Sequence, residues 1–370
     1  CSLVGSEMCI RDRVMLNLAN GFVEYDYLVD LVLSSAEGEL IGQLDKRVRL
    51  IDLKSRRVAT CMPGLVKYLK TQRPKALLSS QGHANIVAVV AAMYPGVNTR
   101  VIVRDTNSPV GVATIRPSGW SRFVEWLTRF AYPRADGVVA VCNDIKPQIA
   151  RSRSLPLNKI SVIYNPIRVD RILRMAKEPS GHEWLDHPRD PVIVSVGRLH
   201  AAKDFTSLIQ AFALVCREID ARLVILGEGE LRDELMELAS SLGVGDRVDL
   251  PGFVQNPYAY ISRANALALS SLTEGLPNVL LETLAIGTPI VATDCPTGPR
   301  EILRDGKDGI LVPVQDPEAL AKGMLSSLEA RDKSAVAPES LERFDYSSVI
   351  NQYLDLLCPD RNVTAARDRV

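Results

Sequence analysis

Short Val/Ile-rich runs alternate with helical stretches along nearly the whole chain, and this alternation leaves few folds open. Runs such as 101–104 (VIVR), 138–142 (VVAVC), 192–196 (VIVSV) and 290–293 (IVAT) are apolar at consecutive positions. Strands covered on only one face alternate apolar with polar residues, whereas continuous runs mark strands covered on both. Between them, 84–93, 119–130, 205–215 and 231–242 carry apolar residues at helical spacing. Strands alternating with helices predict a parallel sheet flanked by helices, with ligands at the carboxyl ends of the strands.

The alternation breaks once. Residues 167–190 mix charges with Pro179, Gly181 and Pro188 and show little periodicity. The expected architecture is α/β: two doubly wound Rossmann-like domains facing a central cleft. The N-terminal domain covers 14–168, a linker 169–190 and the C-terminal domain 191–340. A C-terminal helix at 341–358 is expected to pack back on the first domain, with a tail over 359–370. Residues 1–13 (CSLVGSEMCIRDR) have no signal-peptide character and resemble translated sequencing-adapter read-through. Native sequence is therefore expected to begin near Arg13 or Val14, with the first strand and its loop missing.

Composition excludes several classes. Forty-four basic residues balance forty-four acidic ones, so no global field draws the chain to nucleic acid. The longest apolar run, 86–94, is too short to cross a bilayer. Seven cysteines are scattered without a CxxC pair, which argues against a disulfide framework or a zinc site and fits a reducing cytoplasm.

Three segments of the second half carry chemistry. Gly197 and Arg198 end one strand, and Lys203 follows five residues on. The two cations could grip a diphosphate, Arg as a fork and Lys as a point charge, or be solvated charges at a turn. Gly227 and Gly229 form a GxG turn that could lie under a nucleotide or simply be tight. The sharpest signal is 271–287, SLTEGLPNVLLETLAIG. Pro277 suits the first turn of a helix, so the turn Gly275, Leu276, Pro277 and Asn278 would surround a helix mouth. Such a mouth binds phosphate through its unpaired N–H groups and the helix dipole. Glu282 can accept from a ribose diol and Glu274 from hydroxyls beyond the phosphates. Alternatively, Glu274 caps the helix and Glu282 is a solvated face.

Taken in order, Gly197-Arg198 with Lys203, the GEGE turn, Pro251-Gly252-Phe253 and the E-x7-E segment resemble glycosyltransferase family 4. The segment 293–302 (TDCPTGPREI) resembles its members that build bacterial surface polysaccharides, and 162–166 (VIYNP) the family's exit from the first domain. The resemblance implies a retaining GT-B glycosyltransferase, hexosyltransferase-type (EC 2.4), moving a sugar from a UDP- or GDP-type donor to a glycan or lipid-linked acceptor. It implies no cofactor and no metal, in line with the missing DxD triplet. Arg198 and Lys203 would hold the diphosphate, Glu274 the sugar and Glu282 the ribose. Phe253 and Val254 would lie near the base. The family's usual histidine after the strand ending near Arg104 is replaced by Asp105-Thr106-Asn107. Thr106 or Asn107 could contact sugar or phosphate, and His83 is a candidate acceptor residue. A nucleotide-sugar-binding protein impaired by a lost N-terminal loop, or another GT-B enzyme such as an epimerase, is the alternative.

Between 104 and 168 ten Lys/Arg face four Asp/Glu. Within 119–134, arginines interleave with Trp120, Phe123, Trp126 and Phe130. This suits a peripheral contact with the inner membrane or a lipid-linked acceptor at its cytoplasmic face. An ordinary amphipathic helix, burying Trp120, Phe123, Leu127 and Phe130, is the other reading.

Overall fold

The computed structural model describes residues 2–5, 10–36, 39–55, 58–106, 119–329 and 338–360. The chain divides into two compact units, Cys1–Pro166 with Arg343–Val370, and Ile167–Glu342.

The first unit holds a seven-stranded, all-parallel sheet. Its strands are β1 Ser2–Gly5, β2 Asp30–Leu33, β3 Arg49–Asp52, β4 Ala76–Ser80, β5 Arg100–Asp105, β6 Gly137–Ala140 and β7 Ile160–Val162. Their spatial order is β3-β2-β1-β4-β5-β6-β7, so the winding reverses between β1 and β4. Here the structure departs from the sequence reading. A strand does precede Val14: Ser2–Gly5 lies at the middle of the sheet, paired with Asp30–Leu33 and with 77–79. The residues after it, 6–9, lie outside those described.

The helix Ile10–Glu24 runs through Gly21. Gly21 is an approach point: a Cβ there would stand 2.7 Å from Ile350 Cγ1 and 2.9 Å from the Tyr346 hydroxyl. Both belong to the helix Tyr346–Leu357, which joins this unit and packs into one core with Leu18, Phe22, Leu31, Leu78 and Ile102. Tyr346 donates to the Asn17 carbonyl at 3.0 Å, and Arg100 donates to the Leu356 carbonyl at 2.9 Å. Arg104 is buried on β5. Its guanidinium donates to Tyr353 Oη (3.1 Å), Ser80 Oγ (3.2 Å) and Asn165 Oδ1. A buried cation is tolerated only when its donors are satisfied, and this set ties β4, β5, the end of the first segment and the returning helix together.

The second unit holds a six-stranded parallel sheet: β8 Val192–Val196, β9 Arg222–Leu226, β10 Val248–Gly252, β11 Ala266–Leu269, β12 Ile290–Thr293 and β13 Ile310–Val312. Their order is β10-β9-β8-β11-β12-β13, with the reversal between β8 and β11. β8, β9, β11 and β12 are buried almost throughout, as their unbroken apolar sequences require. The helices Phe205–Glu218 and Pro317–Glu329 bury Leu208, Phe212, Leu320 and Met324 on one core. The segment 169–190, read as a linker from its sequence, instead carries the helices Val169–Ala176 and Glu183–Asp186 within this unit. Side-chain contacts override its weak periodicity: Ser262 Oγ donates to the Ala176 carbonyl at 2.8 Å, and Arg263 pairs with Asp186 at 3.0 Å.

Gly21→Val should cost about 1–3 kcal/mol, because a branched side chain has no room against Ile350 and Tyr346. Urea unfolding of the full chain checks this. Gly21→Ala should cost less, since its helix-propensity gain of roughly 1 kcal/mol offsets part of the crowding.

Candidate active site

The second sheet's reversal point is where the sequence-predicted residues converge. The turns leaving adjacent strands β8 and β11 meet there, at the carboxyl ends where open α/β sheets place their ligands. Hydrogen bonds stitch the two turns: Ser270 Oγ donates to the Lys203 carbonyl at 2.7 Å, and Leu272 N donates to the Ala202 carbonyl at 2.9 Å. Lys203 Nζ meets Glu274 Oε1, which also accepts from Ser271 Oγ at 2.7 Å. The Thr297 hydroxyl donates to the Glu274 carbonyl. A half-buried carboxylate is thus fixed at side chain and backbone by three strand-end turns.

Glycines bring these turns together. Gly227 (φ +140°) would drive a Cβ into the Gly197 carbonyl oxygen, and Gly229 would drive one into that of Leu199. The GxG turn therefore serves close approach of the turns after β8 and β9. Gly298 (φ +95°) lies against the next turn, where a Cβ would stand 2.7 Å from both the Gly275 oxygen and Pro277 Cδ. Gly197 is buried under the Lys203 stem, its would-be Cβ 3.4 Å from Cδ and Cε.

Pro277 precedes the helix Asn278–Ile286, and no side chain caps it there. The turn Gly275, Leu276, Pro277, Asn278 forms its mouth, with Leu276 and Pro277 buried. Glu282 lies one turn inside the helix and accepts from Tyr258 Oη at 3.1 Å. The structure does not join Arg198 to Glu274. Arg198 is exposed and reaches Glu230 at 3.5 Å. Its own backbone N–H, then Arg198 and His200, hold the Glu230 carboxyl below the usual range. His200 is not merely solvated: its Nδ1 accepts from Ala202 N at 3.1 Å, and its Nε2 lies 3.7 Å from Glu230. Phe253 is exposed and Val254 half-buried just beyond β10, whose Gly252 carbonyl accepts from Gly227 N at 2.8 Å.

Sequence reasoning missed Ser271, Thr297 and Tyr258 as supports of the two glutamates. Ser271 had a signal, lying three residues before Glu274. Thr297 and Tyr258 reach their partners from distant segments and had none.

The remaining candidates belong to the first unit. His83 is exposed at the start of the helix Gly82–Ala92, and Thr106 is half-buried just after β5. These positions follow neighbouring strands of one sheet. Asn107 lies outside the described residues. Among those described, no group of three or more His, Cys, Asp or Glu could hold a metal ion.

The family model "Glycosyl transferases group 1" matches residues 182–344, and "Glycosyltransferase Family 4" matches 12–171. The chain belongs to glycosyltransferase family 4. It is 34% identical over 245 residues to the lipopolysaccharide core biosynthesis glycosyltransferase LpsE of Rhizobium meliloti, covering 64% of this chain and 68% of that one. It is 33% identical over 245 residues to a Campylobacter jejuni N-acetylgalactosaminyltransferase named for a diphospho-undecaprenol substrate, spanning 66% of this chain and 64% of that enzyme's length. Sucrose-phosphate synthase from Thermosynechococcus elongatus shares the fold with a TM-score of 0.80 at 18% identity over 99% of both chains. Anabaena HepE, solved with UDP-glucose, superposes with a TM-score of 0.76 at 17% identity, over 96% of this chain and 99% of that one. The fold is thus GT-B, built of two Rossmann-like units.

Cys295 lies beside this family site, buried, with Sγ 3.6 Å from the Thr297 carbonyl. Burial, and then the Glu274 charge, push its thiol up to about 12. Native Cys295 should resist iodoacetamide at pH 8 and react on unfolding, as peptide mass spectrometry would show.

Proposed function

We propose that this glycosyltransferase moves a hexosyl-type unit from a nucleotide-sugar donor to a glycan or lipid-linked acceptor in surface-polysaccharide synthesis. The observation that carries this is the meeting of Lys203 and Glu274 beside the mouth of the helix Asn278–Ile286. A cation beside the positive end of a helix dipole favours a diphosphate, and a fixed carboxylate beside them favours hydroxyls.

In this reading Gly197 and Gly227 let backbone approach the nucleotide. Gly275, Leu276, Pro277 and Asn278 cradle phosphate, Glu282 accepts from the ribose diol, and Phe253 and Val254 flank the base. Glu274 orients the sugar. The bond from the anomeric carbon to the phosphate oxygen breaks while one to the acceptor oxygen forms, with retention. The acceptor proton passes to the departing phosphate. Arg198 and Lys203 stabilise the charge on that phosphate, as fixed charges aimed at a leaving group do. No metal is needed for that stabilisation. His83 is the first unit's candidate contact to the acceptor, and Thr106 its candidate contact to sugar or phosphate. UDP and UDP-glucose complexes of a fold neighbour, and the diphospho-undecaprenol in relatives' names, support a UDP-type donor and a lipid-linked acceptor.

A screen of donor hydrolysis over common UDP-, GDP- and ADP-sugars tests the reading, and turnover of none would defeat it. Glu282→Ala should weaken nucleotide binding by about 1–3 kcal/mol, through loss of a diol contact. Arg198→Ala should lower kcat more than it raises the Kd for the nucleotide. Calorimetry and initial rates separate the two effects.

The acceptor also bears on the helix Gly119–Ala131. Phe123, Trp126 and Phe130 are exposed at 47%, 59% and 36%, and their rings stack with centroids 6.0 and 6.1 Å apart. The alternative that buries Phe123 and Phe130 does not hold for those two rings: the helix turns Thr128 and Ala131 inward, with Val124 and Leu127 half-buried beside them. Trp120's side chain lies outside those described. Arg134 stacks 3.8 Å over Phe130, and Lys159 donates to the Pro133 carbonyl at 2.5 Å. An aromatic ridge beside cations suits the interface of an anionic bilayer. No helix among the described residues is long and apolar enough to cross a membrane. The chain would seat this ridge on the cytoplasmic face. Trp126→Ala with Phe130→Ala should reduce co-sedimentation with phosphatidylglycerol vesicles about tenfold or more, since two exposed aromatics supply most of the apolar contact. Binding to phosphatidylcholine alone should be weak for both forms.

A further inference from the structure

We infer that the Lys203–Glu274 ion pair competes internally with the donor diphosphate, so that the site prefers a sugar-bearing nucleotide and loosens its hold on the spent diphosphate. This rests on the donor site proposed above and adds a role for the pair in selection and release.

The pair is centred on one oxygen. Glu274 Oε1 receives both the Lys203 ammonium and the Ser271 hydroxyl. The Glu274 side chain is 11% exposed and that of Lys203 25%, so neither partner is well solvated. Both backbones are fixed. Ser270 holds the Lys203 carbonyl, Leu272 N the Ala202 carbonyl and Thr297 the Glu274 carbonyl. Only the side chains are left to exchange partners, and the Lys203 stem rests on Gly197, where no Cβ restricts it.

A diphosphate at the helix mouth demands the lysine. Drawing the ammonium away leaves a largely buried carboxylate with Ser271 as its one remaining side-chain donor. Removing one partner of a buried ion pair is costly because the other charge stays behind. A nucleotide sugar compensates, since its hydroxyls donate to Glu274 as Lys203 leaves. A bare nucleoside diphosphate has no group to do so. Once the sugar has passed to the acceptor, Glu274 loses its hydroxyl donors and reclaims Lys203, and the diphosphate loses a cation.

The two glutamates of the same segment should therefore respond oppositely. UDP, GDP and ADP, and their sugar derivatives, are titrated calorimetrically into the full chain and its variants, each with its melting temperature recorded. Glu274→Gln should bind the nucleoside diphosphate about three- to tenfold tighter, and its preference for the sugar nucleotide should fall. Glu282→Gln should bind the diphosphate more weakly. Ser271→Ala, which strips Glu274 of its remaining donor when Lys203 departs, should also weaken it. Lys203→Met should cost more affinity in the Glu274→Gln background than in the wild type, because the lysine is then fully available. An equal cost in both backgrounds would reduce the effect to general charge repulsion and overturn the inference. So would unchanged or weaker diphosphate binding by a folded Glu274→Gln chain. If the wild type binds none of the three diphosphates, the donor site itself fails, and this role for the pair fails with it.

Discussion

The second unit is organised by a carboxylate that cannot be left alone. Glu274 sits at the end of β11, beside the point where the sheet's winding reverses, and is held by Lys203, Ser271 and Thr297. Burying a charge is costly unless it is paired and hydrogen-bonded. The turns after β8, β11 and β12 are each required in one conformation for that pairing to exist. The turn after β11 leads into the helix Asn278–Ile286, so holding the charge also fixes the approach to that helix mouth. Stability and ligand recognition therefore draw on one set of bonds.

Close backbone approach is the complementary constraint. Gly227, Gly229 and Gly298 each face a carbonyl oxygen of a neighbouring turn at a distance no side chain permits. These residues let the turns nest tightly enough for the fixed carboxylate and the helix mouth to lie side by side. The glycine-rich character of the turns is thus explained first by packing, with any nucleotide contact built on top of it.

The first unit meets its requirements differently. Its core is closed by the helix Tyr346–Leu357, and the buried Arg104 ties that helix to two strands and to Asn165. A chain that enters the second unit after Pro166 and returns at Arg343 completes the first core last. The exposed Phe123, Trp126 and Phe130 stand outside that core. Their stacking on one another accounts for an apolar ridge that the interior does not use.

Much of this was legible in the sequence. Continuous Val/Ile runs could only be strands covered on both faces, and their alternation with helical periods dictated two parallel sheets. Pro277 after Gly275, with Glu274 and Glu282 eight residues apart, marked a helix mouth between acids, because capping and helix geometry are local. The structure departs from the sequence reading where local signals were weak. No strand was expected before Val14, yet Ser2–Gly5 is paired on both sides within the first sheet, and 169–190 looked like a linker but packs within the second unit. Gly21 is a contact with a helix more than three hundred residues away, which no local pattern records. Only the tertiary structure assigned Lys203 to Glu274 and Arg198 to Glu230, brought Tyr258 to Glu282, and turned three aromatics outward. Each of these depends on which distant turn or helix comes to lie within hydrogen-bonding or packing distance. Spacing along a chain fixes periodicity and capping, but it carries no record of such long-range neighbours.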